Sequence, residues 1–336
     1  MPISHLGKKV VVITGGDPSG IGPEIILKSL AKNSLAGKII PIVIGDYRVF
    51  RKTALILKMD LHSVSCHRPG SLDITADGIN FIDLGNVPLK NFKFGCVNKA
   101  YGRASMEYLI CGVSLAENLK DAALVTAPIN KYSINKAGFK FAGHTEFLSH
   151  ITKRRNVTMM LVGGGLRVSL VSRHIPIRDL AGYLTKDRII RTVGDTYYAL
   201  KKFFRIARPK IGVAGLNPHA GEEGLLGKEE KYVISPAVDH LRRKIVGITG
   251  PHPADTLFYK AYRGSLDAVV CMYHDQGLIP LKMVAFETGV NFTIGLPFIR
   301  TSPDHGTGFD IAGKGTANPF SMMEAIKLAS GLPCPC

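Results

Sequence analysis

Tryptophan is absent from the 336 residues, and no apolar run approaches the ~18–20 residues that a bilayer-spanning helix requires. The six cysteines form no Cys-x-x-Cys pair. Cys66, Cys96, Cys111 and Cys271 are scattered, and the spacing of Cys334 and Cys336 matches no zinc ribbon. Reduced thiols in the cytoplasm are therefore the expectation. The opening segment has no apolar stretch ending in a small-residue cleavage site. Its Val10–Thr14 run is short and leads into Gly15-Gly16, which reads as a first strand rather than a leader. Acidic residues are scarce: 26 Asp and Glu stand against 43 Lys and Arg, a formal net charge of +17. That surplus favours anionic partners, whether nucleic acid, a membrane surface or phosphorylated metabolites. The basic residues are spread over short groups such as Lys153-Arg154-Arg155, Lys201-Lys202 and Arg242-Arg243-Lys244. No interleaving of aromatic and basic residues on one face is evident, which argues against a nucleic-acid binder.

Glycine, by contrast, is plentiful at 36 residues, and apolar-rich runs alternate with helical patterns along most of the chain. Strands are expected at Val10–Thr14, Ile39–Ile44, Ile79–Leu84, Ala122–Thr126, Lys210–Ala214, Ala268–Met272 and Asn291–Ile294. Thr158–Val162 and Arg167–Val171, split by Gly163-Gly164-Gly165, read as a hairpin. Helices are expected near Pro23–Ala31 and over Tyr47–Leu57, Tyr101–Lys120, Asp187–Phe204, Glu229–Arg243 and Asn318–Ser330. In the last, Asn318 is the N-cap and Pro319 the first helical residue. Such alternation predicts an α/β fold with mostly parallel sheets. Composition marks no sharp domain boundary; residues 128–143 are the candidate stretch.

Several clusters carry chemistry. Gly15-Gly16-Asp17-Pro18-Ser19-Gly20-Ile21-Gly22-Pro23-Glu24 links the first strand to a helix, and either a tight turn or a phosphate cradle fits it. It is not a P-loop, since no Gly-Lys-Ser/Thr follows. It is not Gly-x-Gly-x-x-Gly either, since Ile25 stands where the third glycine would be. His174, His219 and His274 each lie just beyond an apolar strand-like run. In open α/β sheets ligands sit at the carboxyl ends of strands, so these imidazoles could meet at one divalent metal or serve separately as caps and surface residues. Gly143-His144-Thr145-Glu146 is either a polar site or a helix start capped by Thr145. Lys282, Asn291 and Arg300 follow His274 at intervals. Arg300 directly succeeds Phe298-Ile299, and a cation at the end of a buried run wants an anion. The stretch Asp304–Pro319 holds four glycines between Gly306 and Gly315, with Asp310 placed to contact a nucleotide, or else is an ordinary long loop.

The segments GGDPSGIGPEI, GHTEFL, GLNPHAGEEGLLGKEE, PADTLF, MYHDQGLIPLK and GVNFTIGLPFIRTSPDHGT resemble the PdxA family of 4-hydroxythreonine-4-phosphate dehydrogenases, from about Val10 to Leu328. DIAGKGTANP is also similar to the NAD-binding loop of isopropylmalate dehydrogenase. The resemblance implies two α/β/α domains of the isocitrate/isopropylmalate dehydrogenase type, not Rossmann. The first would comprise residues 1–137 and 314–336. The second, 138–313, would carry most metal and substrate residues, with the active site in the cleft and at a homodimer interface. It implies His174, His219 and His274 as metal ligands shared between subunits. It also implies His144, Thr145, Lys282, Asn291 and Arg300 as substrate contacts. Cofactor contacts are expected at His305, Gly306, Asp310, Gly313 and Asn318. His252 receives no role.

The implied reaction is oxidation and decarboxylation of 4-phosphooxy-L-threonine with NAD or NADP and one divalent metal. Three imidazoles suit Zn, Co, Ni or Mn better than Mg or Ca. Asp255, Asp275 and Lys282 are candidates for the group that takes the hydroxyl proton. Relatives that oxidise D-threonate or D-erythronate 4-phosphate share every quoted segment. A metal-dependent phosphohydrolase is the rival chemistry, although such enzymes usually show a carboxylate-rich two-metal site.

Overall fold

In this computed structural model the described residues are 8–31, 35, 37–61, 64–67, 74–75 and 78–335; the opening seven residues, read above as lacking a leader, and Cys336 lie outside them. The chain divides into two compact units, Met1–Arg155 with Leu296–Cys336, and Asn156–Gly295. The first unit begins with β1 (Lys9–Thr14), α1 (Gly22–Leu30), β2 (Ile39–Gly45), α2 (Tyr47–Leu57), β3 (Val64–His67) and β4 (Ile79–Asp83). It continues through α3 (Lys99–Asn118), β5 (Ala123–Thr126), α4 (Lys131–Lys136) and α5 (His144–Ile151). The second unit runs through β6 (Thr158–Gly163), β7 (Leu166–Leu170), α6 (Leu180–Tyr183), α7 (Lys186–Lys202), β8 (Ile211–Ala214) and α8 (Ser235–Arg242). It ends with β9 (Ile248–His252), α9 (Ala254–Tyr262), β10 (Ala268–Cys271), α10 (His274–Ala285) and β11 (Val290–Ile294). The chain then returns to the first unit with β12 (Ile299–Pro303) and α11 (Phe320–Gly331). The exchange points differ from the expected 137/138 and 313/314. Residues 138–155, which contain α5, and 296–313, whose β12 is hydrogen-bonded to β5, fall in the first unit.

The strands of the first unit lie in the order β3-β4-β2-β1-β5-β12, and every pair is parallel. This is not the 3-2-1-4-5-6 order of the dinucleotide-binding fold, because β4 stands between β2 and β3. Successive residues Val11, Val12 and Ile13 are all fully buried, as a strand covered on both faces requires. The helices between strands form for local reasons. Asp46 caps α2 by accepting the Arg48 N–H at 3.1 Å, and Lys58 closes it in a left-handed conformation (φ 54°).

In the second unit the order is β11-β6-β7-β10-β8-β9. The β6–β7 hairpin and the β11–β6 pair are antiparallel, whereas β7, β10, β8 and β9 run parallel. Side chains alternate along β10: Ala268 and Val270 pack with α7 and α8, while Val269 and Cys271 face α9 and α10. Glu229–Arg243, expected as one helix, is helical from Glu229 to Arg242, with a π-helical turn at Glu230–Ile234 running into α8. Pro236 lies in the first turn of α8 and has no N–H to continue a regular ladder. Cys66, Cys96, Cys111 and Cys271 are unbonded thiols. Among the described residues no helix is long and apolar enough to cross a membrane.

Candidate active site

The three strands that precede the singled-out histidines are neighbours. In the order β7-β10-β8 they run parallel, so their carboxyl ends share one edge of the second unit's sheet. His174 follows β7, His219 follows β8, and His274 opens α10 directly after β10. The rings of His174 and His274 face each other with centroids 5.7 Å apart at 40°. Asp275 Oδ1 lies 2.7 Å from His274 Nδ1. A carboxylate on Nδ1 orients an imidazole and leaves Nε2 for a ligand, the usual outer support of a metal-bound histidine. His219 is exposed and sits on a separate turn. Among the described residues no three His, Cys, Asp or Glu side chains come together to hold a metal ion. One chain therefore presents a pair of imidazoles with a carboxylate behind one of them, a donor set that fits a nitrogen-preferring divalent cation.

The turn bearing His219 is unusual. His219, Ala220, Gly221, Glu222 and Glu223 all have positive φ, from 42° to 79°. Each non-glycine residue there costs roughly 1–2 kcal/mol relative to a right-handed conformation. Gln276, two residues past His274, ties this region to α10: its Oε1 accepts the Met272 N–H at 2.7 Å, and its Nε2 donates to the Gly215 carbonyl at 2.6 Å. Sequence reading passed over Gln276, although its place in Tyr273-His274-Asp275-Gln276-Gly277 was a signal. Lys282 is half-buried on α10, its Nζ 5.8 Å from the centroid of Phe286. Asn291 lies on β11 with its Oδ1 buried and without a hydrogen-bond partner among the described residues. Asp255 is exposed in the first turn of α9.

The first unit gathers a second set. Arg300 is the second residue of β12 and only 1% exposed. Its guanidinium donates to Thr126 Oγ1 at 2.6 Å, at the carboxyl end of β5. Burial draws its pKa down to about 9, with Glu146 pulling the other way, so the cation persists at neutral pH. His144 opens α5, whose N-cap is Gly143; Thr145, the cap in one of the two readings of this segment, lies inside the first turn and is buried. The helix starts earlier than in that reading because Gly143 takes the extended cap conformation (φ 167°) itself. Burial, and then the charge of Arg300, hold the His144 pKa well below the ordinary histidine range. Its ring is therefore neutral, and its Nε2 is buried with no hydrogen-bond partner among the described residues. A buried guanidinium beside a neutral imidazole with an unmet nitrogen suits an anionic, hydrogen-bonding ligand.

The Gly15–Glu24 segment resolves as a tight turn. The N–H groups of Gly15, Asp17, Ser19, Gly20 and Ile21 are committed to Ile44 O, Pro128 O, Asp17 Oδ1, Asp17 O and Thr307 O. A phosphate cradle needs such N–H groups free, and these are not. Asp17 is fully buried, and burial pushes its pKa up to about 6 against the hydrogen bonds from Ser19. The glycine-rich stretch after β12 is held against this turn. Glu24 accepts the Ala317 N–H at 2.7 Å, and Lys28 donates to the carbonyls of Gly315 and Ala317 at 2.8 Å each. On that stretch His305, Gly306 and Asp310 are exposed, and Gly313 takes a left-handed conformation (φ 75°) against Phe94. Asn318 Oδ1 accepts the Phe320 N–H at 2.9 Å at the start of α11; the N-cap position itself falls on Pro319, one residue later than expected. The Glu24–Lys28 clamp was not singled out in the sequence, where an acidic residue and a lysine four apart on a helix look like an ordinary surface pair.

Comparison with known proteins agrees in direction. The family described as "Pyridoxal phosphate biosynthetic protein PdxA" matches residues 38–329. A protein of Desulforapulum autotrophicum named 4-hydroxythreonine-4-phosphate dehydrogenase is 44% identical over 333 residues, covering 96% of this chain and 95% of its own. One of Cupriavidus necator named D-threonate 4-phosphate dehydrogenase is 44% identical over 324 residues, covering 96% and 97%. A crystal structure of a 4-hydroxythreonine-4-phosphate dehydrogenase from Burkholderia phymatum superposes with a TM-score of 0.82 at 42% identity, covering 98% of this chain and 99% of that one.

Proposed function

This chain belongs to the PdxA family and is a dehydrogenase of it, and from that premise we propose that it oxidises and decarboxylates 4-phosphooxy-L-threonine to 3-amino-2-oxopropyl phosphate. The observation that carries the reading is the facing pair His174 and His274 with Asp275 behind His274. A second reading, D-threonate 4-phosphate as substrate, is favoured by the Cupriavidus necator relative, which is as similar as the first.

What a bound divalent cation and NAD or NADP supply is acidification of the substrate hydroxyl, hydride acceptance, and polarisation of the resulting carbonyl for loss of CO2. His174 and His274 would hold the cation, and His219 would complete the set across a homodimer. Asp275 keeps the His274 ring oriented. Arg300 would bind an anionic group of the substrate. His144, held neutral, adds a hydrogen bond there without adding a second charge. Thr145, Lys282 and Asn291 complete the substrate contacts, Asn291 with an Oδ1 unmet among the described residues. Asp275 is engaged with His274, and Asp255 stands exposed. Lys282, on the helix that begins with His274, is thus the best-placed candidate for taking the hydroxyl proton.

His305, Gly306, Asp310, Gly313 and Asn318 are proposed as the cofactor surface, kept in shape by Glu24 and Lys28. An apolar face of α10 supports pairing of subunits: Ile279, Met283 and Phe286, at helical spacing, are 61%, 81% and 76% exposed. The reading implies a cytoplasmic enzyme acting on a small phosphorylated hydroxy acid, with neither nucleic acid nor membrane as partner.

The test is NADH formation with 4-phosphooxy-L-threonine, D-threonate 4-phosphate and D-erythronate 4-phosphate, before and after treatment with a chelator. Turnover of the first, lost on chelation and restored by Zn, Co or Mn, is expected. Preference for a sugar-acid phosphate would establish the second reading. Release of phosphate without NADH would overturn both.

A further inference from the structure

The left-handed turn at His219–Glu223 raises the question of what holds it. Four consecutive left-handed conformations around a glycine are not self-supporting in an L-polypeptide, and such outliers persist only where the surroundings over-determine them. Backbone bonds from Ala220, Leu225 and Leu226 to the carbonyls of Asn217, Glu222 and Gly221 hold part of it, and one side chain braces the rest. Glu230 is 4% exposed and begins the π-helical turn. Its Oε1 accepts the N–H groups of Leu216 and Asn217, both at 2.7 Å, just ahead of the turn. Its Oε2 accepts the Asn217 side-chain amide at 2.9 Å, and the same amide donates to Glu229 Oε2 at 2.7 Å. Any Cβ at Gly221 would stand 2.6 Å from Glu230 Oε2, so the carboxylate is packed against the middle of the turn itself. The π-helical turn shifts the register that would otherwise continue from α8, and turns of this kind recur at functional sites.

We propose that Glu230 is a positioning residue for the metal site, its carboxylate clamping Leu216, Asn217 and the Gly221 backbone so that the left-handed turn presents His219. This rests on the reading of His219 as a metal ligand. The clamp acts on the backbone before and within the turn, and not on the imidazole. Its loss leaves every ligand in the chain but unfixes one of them. Outer groups that fix a ligand are typically worth about 10–100-fold in metal affinity.

The experiment uses the full-length protein stripped of metal and titrated with Co2+, read by the visible absorption of the bound ion, which depends on the number and arrangement of its ligands. Four proteins are compared: wild type, His219→Ala, Glu230→Gln and Asn217→Ala. Glu230→Gln keeps the volume but turns one oxygen into an NH2 that cannot accept from Asn217. It is expected to bind Co2+ roughly 10–100-fold more weakly, with an altered spectrum. Turnover should return toward wild type at saturating metal, because the ligands remain. Asn217→Ala, the milder lesion, should move affinity in the same direction. It also serves if Glu230→Gln does not fold. Combining the two should give less than the product of their separate effects, since they break one network. A purely structural role for Glu230 predicts a lower melting temperature with unchanged Co2+ affinity and spectrum per folded protein, and that result in either variant overturns the proposal. If His219→Ala binds Co2+ like wild type, the metal-ligand reading falls, and the proposal with it. If His219→Ala weakens binding and the Glu230 and Asn217 variants do not, the proposal falls alone.

Discussion

In the unit built around β1 and β5 the groups proposed to hold the substrate are inside; in the unit built around β7, β8 and β10 the groups proposed to hold the metal are outside. Arg300 and Thr126 are 1% and 0% exposed, and His144 Nε2 is shut off from solvent. His174, His219 and Asp275 are exposed, on loops or at a helix start. The sheets differ in the same sense. The first is parallel throughout and covered on both faces, whereas the second mixes an antiparallel hairpin with parallel strands. A buried guanidinium keeps its charge at a desolvation cost, so it is organised for an anion before one arrives. Exposed imidazoles cost little to keep, but are organised only through their supports, Asp275 for one and the Glu230 clamp for another.

The contrast predicts different failures. Removing an exposed ligand should remove chemistry and spare the fold. His219→Ala is expected to lower turnover by roughly three orders of magnitude, about 4 kcal/mol of transition-state stabilisation, with a melting temperature within a degree or two of wild type. NADH formation and calorimetry measure the two halves. Near-normal turnover would remove His219 from the site. The buried set should fail in both respects. Arg300→Ala is expected to raise the substrate KM by about 10²–10³-fold and lower kcat less, while also lowering the melting temperature, because a cavity and an orphaned Thr126 hydroxyl remain. A selective loss of NAD affinity would instead move Arg300 to the cofactor side and blur the contrast between the units.

How much of this was legible beforehand follows the same division. Where an apolar run ended at a glycine or a cap, as in β1 or in α2 between Asp46 and Lys58, elements were readable to within a residue or two. Strands without that signature were not. β12 reads Ile-Arg-Thr-Ser-Pro, and its arginine and proline disguise a fully buried strand. β9, with Gly250 and Pro251, and the half-exposed edge strand β3 lack the apolar signature too. α10 was hidden by Gly277 and Pro280 within it. The histidines could be picked out because each follows an apolar strand. Glu230 and Gln276 beside the histidine turns, and Glu24 and Lys28 under the glycine-rich stretch, are ordinary polar residues in sequence, and only tertiary placement gives them partners. Of the two readings of Gly143–Glu146, the one with Thr145 as cap fails because Gly143 holds that position by backbone geometry.

The covered unit should also respond to pH, through Asp17. Asp17 has a folded-state pKa raised from 3.8 to about 6 by burial. The folded state therefore holds this proton more tightly than the unfolded chain. Stability falls as pH rises from about 3.8 through about 6, and the loss is complete above that window. Asp17→Asn keeps an oxygen for Ser19 and cannot ionise. Between about pH 4 and pH 8 wild type should lose roughly 2–3 kcal/mol relative to this variant, as measured by urea unfolding across that range. Parallel pH curves for the two proteins would mean that Asp17 stays ionised in the fold and that the buried unit stores no such cost.

Asn318 tests where the boundary between support and contact runs, with the smallest expected effect. It was expected both to cap the final helix and to touch the cofactor, and its Oδ1 is already engaged with the Phe320 N–H at 2.9 Å. An oxygen so used is not free to accept from a ligand, although the exposed amide nitrogen can still donate. If Asn318 is chiefly a cap, Asn318→Ala should cost about 1 kcal/mol of stability, and Asn318→Asp, which preserves the accepting oxygen, should cost little. In that case the KM for NAD should change less than twofold in either variant. If the amide nitrogen serves the cofactor, Asn318→Asp should keep stability while raising the KM for NAD, because a carboxylate replaces the donor and would face an anionic dinucleotide. The pair of variants thus separates the two roles by which quantity moves, and a KM effect in Asn318→Asp would place Asn318 with the exposed cofactor surface rather than with the supports.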